Sequence, residues 1–160
     1  MSVETVKAFF RKHRMEDKVM EFGASSATVE LAAKAVGVIP ARIAKTLSFQ
    51  RKEGGGFLIV TAGDAKIDNA KFKSVFGMKA NMLKPDEVLK LTGHAVGGVC
   101  PFAIEEHIPV YLDISLKRFS SVFPACGSDN SAIELDCETF FKLSGGLEWI
   151  DVCKDWDTAI

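Results

Sequence analysis

One lysine lies where the pattern of apolar residues would place it inside the protein. Residues 43–50, IAKTLSFQ, alternate in the manner of a half-buried strand. Lys45 therefore shares a face with Ile43 and Leu47. A lysine among bulky apolar side chains is costly unless it is paired or opens into a wet cavity. It could extend from a sheet edge to solvent, or it could supply a cation at the floor of a ligand pocket.

A glycine-rich loop at residues 93–104, GHAVGGVCPFAI, is the second candidate. Gly97 and Gly98 would let backbone N–H groups converge on one oxygen, as in an oxyanion hole or an anion nest. Val99 continues the loop, and Pro101 would fix the direction of the chain as it leaves. An ordinary turn or strand bulge is the alternative.

Cys100 follows these glycines and invites a nucleophile hypothesis. That role requires a nearby base and an electropositive setting. His94 stands six residues earlier in the sequence. A small buried thiol is the commoner state of a free cysteine, which favours a structural role for Cys100 over a reactive one.

A third segment, ACGSDN at residues 125–130, combines glycine with short polar side chains just before a strand-like stretch. Asx and serine turns account for such a composition. The same segment could also form a second loop that lines a ligand.

Several familiar chemistries are excluded by the sequence. It contains no P-loop, dinucleotide-binding, metalloprotease or nucleophile-elbow motif. The four cysteines, Cys100, Cys126, Cys137 and Cys153, form no C-x-x-C pair. This argues against a structural zinc site, and we expect neither a metal nor a cofactor.

The elements that must position these residues are predicted from periodicity and capping. Helices are predicted at 3–14, 26–36 (capped by Ser26 or Thr28), 67–77, 84–93 and 137–146, and strands at 18–22, 43–50, 56–63, 108–116, 131–136 and 147–153. Strands and helices do not alternate regularly, so a doubly wound sheet is disfavoured. We expect one α+β domain over residues 1–160, with a mostly antiparallel, barrel-like sheet flanked by helices.

Composition and charge narrow the class further. Apolar residues make up 48% of the 160 residues and charged residues 26%, as in ordinary globular domains. We find no membrane span or signal peptide in the sequence and expect a cytoplasmic protein. Residues 1–118 hold 18 Lys and Arg against 13 Asp and Glu, whereas residues 119–160 hold 2 against 8. The positive part could meet a polyanion, or the imbalance could be chance.

Taken in order, these segments resemble a known family. "RIAKTL", "GGVCPF" and "CGSDNSAIEL" occur in that sequence, together with "TVELAAKAVGV" before the lysine and "GFLIVTAGDAKIDNAKF" after it. The chain resembles the YbaK/EbsC family, also called the prolyl-tRNA-synthetase-associated or editing domain. The resemblance covers nearly the whole chain.

The resemblance implies a mixed α/β fold and a freestanding enzyme that hydrolyses the ester of mischarged aminoacyl-tRNA in trans. The implied substrate is tRNA-Pro carrying a small wrong amino acid such as alanine or cysteine. A prolyl-tRNA synthetase is a further candidate partner, and neither DNA nor a membrane is implied. The implied catalytic residues are Lys45, Gly97 and Gly98. The implied substrate-binding residues are Phe22, Thr46, Val99, Cys100, Pro101, Gly127, Ser128 and Asp129.

Three departures from the family pattern bear on amino-acid specificity. Many relatives have serine in place of Cys100, some have tyrosine in place of Phe22, and some have basic residues where this chain has Asp129. Two alternatives to the deacylase stay open at this point. One is a non-catalytic module that binds an aminoacyl end, a nucleotide or a protein, and the other is a hydrolase that uses the Cys100 thiol.

Overall fold

Helices pack around a six-stranded sheet in the computed structural model, which describes residues 2–156. The helices of this part of the chain are α1 Ser2–Arg11, α2 Val29–Val36, α3 Asn69–Phe76, α4 Pro85–Thr92 and α5 Cys137–Leu143. The strands are β1 Met20–Glu21, β2 Ile43–Gln50, β3 Gly56–Ala62, β4 Lys66–Ile67, β5 Val110–Asp113, β6 Ser121–Pro124, β7 Ser131–Ala132, β8 Leu135–Asp136, β9 Glu148–Ile150 and β10 Cys153–Lys154. Short 3₁₀ helices lie at Glu16–Lys18, Pro40–Arg42 and Ile114–Arg118.

The large sheet has the strand order β8-β6-β2-β3-β5-β9. Its longest pairing is the antiparallel hairpin of β2 and β3, which runs from Ala44 opposite Ala62 to Gln50 opposite Gly56. The β6–β8 pairing is also antiparallel, while β2–β6, β3–β5 and β5–β9 are parallel. The sheet curls into a half-barrel. The predicted α+β class is therefore confirmed, with antiparallel pairing concentrated in the central hairpin.

The predicted hairpin and all five predicted helices are present, and their ends follow ordinary capping chemistry. Thr28, rather than Ser26, caps α2, because its side chain accepts a hydrogen bond from the Leu31 N–H at 3.2 Å. Asp68 caps α3 in the same way, through the Lys71 N–H at 3.1 Å. Gly37 ends α2 in the left-handed conformation that glycine adopts most easily.

Predicted strands that were too long are divided by side-chain hydrogen bonds to the backbone. The predicted strand 108–116 ends at Asp113, whose carboxylate accepts the Ser115 N–H at 2.9 Å and starts a 3₁₀ helix. The other oxygen of Asp113 accepts the Val152 N–H at 2.9 Å, between β9 and β10, where the strand predicted over 147–153 is divided.

Two further strand predictions were also too long. The stretch 131–136 splits into β7 and β8, which pair with different partners, β1 and β6. The predicted strand 18–22 keeps only two strand residues, Met20 and Glu21, after a 3₁₀ turn. Strands β4 and β6 were not predicted, because each is too short to show a clear alternation.

Two apolar clusters hold these layers together. The larger one fills the main body and contains residues from α1, α3, α5 and the central strands. The smaller one, Ala32, Ala33, Ile43 and Phe123, joins α2 to β2 and β6. This second cluster holds α2 beside the part of β2 that carries Lys45. None of the helices in residues 2–156 is long and apolar enough to cross a membrane.

Candidate active site

A cavity of about 270 Å³ lies beside β2, at the end of the small apolar cluster. Four segments supply most of its wall: residues 26–32, residues 43–48, residues 82–88 and residues 96–99. Phe123, Ala125, Ser131 and Ala132 complete it. Most of these side chains are apolar, so the few polar groups in the wall must determine what the cavity binds.

Lys45 is a half-buried member of this wall. Its ammonium group donates to the carbonyl oxygens of Ala65 at 2.5 Å and Gly63 at 3.3 Å. Burial lowers the pKa of Lys45 from its usual value, against smaller opposing effects that include the Asp64 carboxylate. An ammonium has three N–H donors, so two fixed carbonyls can hold it while one donor faces a ligand.

The turn that supplies those carbonyls is held firmly in place. A side chain at Gly63 would put a Cβ 2.1 Å from the Pro40 carbonyl oxygen, so this position requires glycine. Asp64 accepts two hydrogen bonds from the Arg118 guanidinium, at 2.6 and 3.0 Å. The Arg118 side chain is only 5% exposed and stacks on Trp156. Lys45 is therefore positioned by a rigid turn, not by its own strand alone.

The glycine-rich loop contributes in a way that differs from the expectation. Gly97 lines the cavity with φ +99°, and its N–H has no partner in residues 2–156. The Gly98 N–H instead donates to the Ala95 carbonyl at 3.0 Å, so it does not point to a substrate oxygen. A Cβ at Gly98 would lie 2.5 Å from the Ser128 nitrogen. Gly98 thus allows two loops to touch, and it is not the second oxyanion donor that we expected.

Cys100 is fully buried in the main core and does not line the cavity. Burial raises the pKa of its thiol to about 12. His94 lies close, with its Nε2 at 3.6 Å from the sulfur. That Nε2 donates to the Phe102 carbonyl at 2.9 Å, however, and burial lowers the pKa of His94. A neutral thiol beside a neutral imidazole gives no reactive pair, so the structure disfavours the thiol-hydrolase alternative.

The remaining predicted contacts lie behind the cavity wall. Pro101 is buried next to Cys100, and the cavity lining does not include it. The Phe22 N–H donates to the Asn130 carbonyl at 2.7 Å, and the Phe22 carbonyl accepts from the Asn130 side chain at 3.0 Å. Within the 126–130 turn, Gly127 donates its N–H to the Gly98 carbonyl at 3.0 Å. None of these residues lines the cavity.

Ser128 and Asp129 also support the wall and do not line the cavity itself. The Ser128 hydroxyl donates within its own turn. The Asp129 carbonyl accepts the Ser26 N–H at 2.6 Å and so fixes the strand-like entry to α2. Lys45, Thr46, Gly97 and Val99 are therefore the predicted site residues that the structure brings together around one space.

Sequence reasoning missed four polar residues of the wall, Ser26, Thr28, Ser48 and Ser131. The Ser26 hydroxyl is buried and has no hydrogen-bond partner among the described residues, and the same is true of the Thr46 hydroxyl. Both residues line the cavity. Ser26 stands in SSAT, where serine and threonine are typical of a helix N-cap. The capping interpretation therefore left the role of Ser26 in the cavity wall unrecognised.

The comparisons with known proteins agree with this fold. The model of the aminoacyl-tRNA editing domain matches residues 24–143, so the chain belongs to that family. These residues include Lys45, the glycine-rich loop and the 126–130 turn.

Three curated relatives cover most of the chain. "Uncharacterized protein YwhH" of Bacillus subtilis is 55% identical over 157 residues, covering 98% of this chain and 100% of that protein. "Putative Cys-tRNA(Pro)/Cys-tRNA(Cys) deacylase EbsC" of Enterococcus faecalis is 28% identical over 138 residues, with 84% of each covered. The proline–tRNA ligase of Thermotoga maritima is 30% identical over 127 residues, which span 78% of this chain and 21% of the ligase.

A solved structure shares the whole fold. "Crystal structure of a putative trans-editing enzyme for prolyl tRNA synthetase" superposes with a TM-score of 0.85 at 29% identity, over 96% of this chain and 97% of that one. The expected YbaK/EbsC resemblance is confirmed by these findings together.

Proposed function

We propose that this protein is a trans-acting deacylase that hydrolyses the ester of mischarged aminoacyl-tRNA. The observation that carries the proposal is the Lys45 ammonium, held by two carbonyls in the wall of a small, largely apolar cavity that Gly97 also lines. A cation and an unpartnered backbone N–H are the groups that stabilise a developing oxyanion. Membership of the editing-domain family supports the same reaction class.

The reaction needs little more than these groups. A water molecule attacks the ester carbonyl carbon, and the negative charge gathers on the carbonyl oxygen beside the Gly97 N–H. The bond to the ribose oxygen then breaks, and the ribose leaves as an alcohol after taking up a proton. Lys45 would polarise the ester or anchor the terminal nucleotide. Because the ester is already activated, a polar group of the substrate itself can assist the water, and no protein base is required.

The proposed substrate is tRNA-Pro carrying a small wrong amino acid such as alanine or cysteine. The cavity volume of about 270 Å³ suits a small aminoacyl group, and small size is the selection principle of an editing site. The name of the Enterococcus faecalis relative points to cysteine. The similarity to part of a proline–tRNA ligase supports tRNA-Pro as the nucleic-acid part of the substrate, with the prolyl-tRNA synthetase as a candidate partner.

A panel of mischarged tRNAs tests this proposal. Samples of tRNA-Pro carrying alanine, cysteine, serine or proline are incubated with the protein, and the loss of the ester is followed over time. We expect rapid deacylation of at least one small wrong amino acid and survival of the proline ester. Binding of every tRNA with no deacylation of any would support the non-catalytic module instead.

A further inference from the structure

The edge of β2 that faces the cavity contains a gap in its backbone pairing. At one end, β6 pairs with Ile43 and Ala44. At the other end, Ser48 accepts the Leu83 N–H at 3.0 Å. The Gln50 N–H donates to the Asn81 carbonyl at 2.8 Å in the same stretch. Between these two contacts, the outer edge of β2 has no neighbouring strand within the described residues.

The alternation of a strand identifies which residue faces this gap. The N–H and C=O of one residue point to the same edge, and successive residues point to opposite edges. Ser48 and Gln50 use their backbone groups on the outer edge, so the backbone N–H and C=O of Thr46 point to the same edge. The backbone groups of Lys45 and Leu47 face β3. Thr46 is therefore the residue whose backbone N–H and C=O open into the gap.

Two further observations place Thr46 at a binding surface. Thr46 lines the cavity, as do Lys45 and Gly97. Its hydroxyl is buried and has no hydrogen-bond partner among residues 2–156. Thr46 as a whole is half-buried, and a buried hydroxyl beside an unpaired N–H and C=O is costly unless a ligand or water satisfies them. Gly98 cannot share the task of the Gly97 amide, because its own N–H is held by Ala95.

We infer that the open edge of β2 at Thr46 binds the backbone-like part of the aminoacyl group, as a strand edge binds a peptide. The Thr46 N–H donates to the ester carbonyl oxygen and forms an oxyanion hole with the Gly97 N–H. The Thr46 C=O accepts a hydrogen bond from the α-amino group. These hydrogen bonds are made to atoms that all aminoacyl esters share, and the amino-acid side chain contacts the apolar wall. The inference rests on the proposed deacylase function.

The first test removes a single N–H. Thr46→Pro deletes the donor at a position that lies opposite Val60 but directs its backbone groups away from β3, and proline is tolerated where the N–H is not part of a ladder. Thr46→Val is the matched variant, because it also loses the hydroxyl but keeps the N–H. We expect Thr46→Pro to deacylate at least about 10-fold more slowly than Thr46→Val, since one oxyanion donor is worth about 10²–10³ in rate. Equal rates in the two folded variants would overturn the inference.

The second test needs no variant, so a folding defect in Thr46→Pro cannot obscure the answer. The wild-type protein labelled with nitrogen-15 is titrated with 3′-alanylamino-3′-deoxyadenosine, in which an amide replaces the ester. We expect the Thr46 amide proton to move downfield and to become protected from exchange with solvent. Binding of the probe with an unchanged Thr46 resonance would overturn the inference. The proposed function fails separately, if wild-type protein deacylates no tRNA.

Discussion

At the scale of the residue, burial separates Lys45 from Cys100. Both carry groups that could attack or polarise an ester. Lys45 lines the cavity and is held by two carbonyl oxygens, whereas Cys100 has no exposed surface. The sequence shows neither the cavity around Lys45 nor the burial of Cys100. The path of the glycine-rich loop decides the burial, since it directs Cys100 into the core while Gly97 lines the cavity. The expectation that Cys100 contacts the substrate was therefore wrong.

Replacement of Cys100 by alanine should leave the chemistry intact. We expect Cys100→Ala to deacylate at the wild-type rate, because the pKa of the thiol is raised to about 12 and the side chain lies outside the cavity. The loss of packing should reduce the free energy of unfolding by about 1 kcal/mol. Single-turnover deacylation and urea denaturation measure the two effects. A rate that collapses in a variant of near-normal stability would restore the thiol mechanism.

His94 predicts a pH dependence of stability. Burial lowers the pKa of His94 in the folded protein, and its Nδ1 has no partner among the described residues. The unfolded chain therefore binds a proton first as the pH falls, and the free energy of unfolding should decrease below about pH 6.5. This contribution is fully present above that pH and is lost as the pH falls toward the lower folded pKa.

Two variants isolate the His94 effect in denaturation series between pH 5 and pH 8. His94→Gln should flatten the change in stability, because glutamine keeps an N–H for the Phe102 carbonyl and does not titrate. The exposed His13 provides the control, and His13→Gln should keep the wild-type slope. An unchanged slope in His94→Gln would show that another group is responsible.

At the scale of the element, the site depends on a contact between two loops. Gly98 and the 126–130 turn meet through the hydrogen bond from the Gly127 N–H. We expect Gly98→Ala to destabilise the fold by about 1–3 kcal/mol, because the new Cβ would meet backbone and not a flexible side chain. Deacylation should also fall, since Gly97 would shift with the loop.

Gly23→Ala is the control for this prediction. No atom lies within 4 Å of a Cβ placed there, and its φ is not in the left-handed region. Thermal unfolding should show little change for Gly23→Ala. A Gly98→Ala protein as stable as the wild type would contradict the close approach of the loops.

The sequence predicts long, regular elements better than it predicts the cavity. The β2–β3 hairpin follows from its alternation and its glycine turn, and the caps of α2 and α3 follow from Thr28 and Asp68. The division of 131–136 between two sheets depends on distant partners, which no local pattern records. The open edge at Thr46 is likewise set by where β6 ends and where residue 83 begins to pair.

At the scale of the whole molecule, charge should govern how tRNA associates. Residues 1–118 carry the positive balance and supply most of the cavity wall, including Lys45 and Gly97, while residues 119–160 are acidic. We expect the logarithm of the association constant for uncharged tRNA-Pro to fall linearly with the logarithm of the salt concentration, because phosphate contacts release counterions. The alanylamino-deoxyadenosine probe carries no phosphate and serves as the control. An affinity for tRNA that did not change with salt would contradict the electrostatic account.

Single-turnover deacylation by Lys45→Met tests the central claim most directly. Methionine fills a similar volume without the ammonium group, so the variant should fold, and the exposed Lys18 provides the control variant Lys18→Met. With the mischarged tRNA that the wild type prefers, we expect Lys45→Met to lose at least about 10²-fold in rate and Lys18→Met to match the wild type. A folded Lys45→Met protein that deacylates as fast as the wild type would contradict the account.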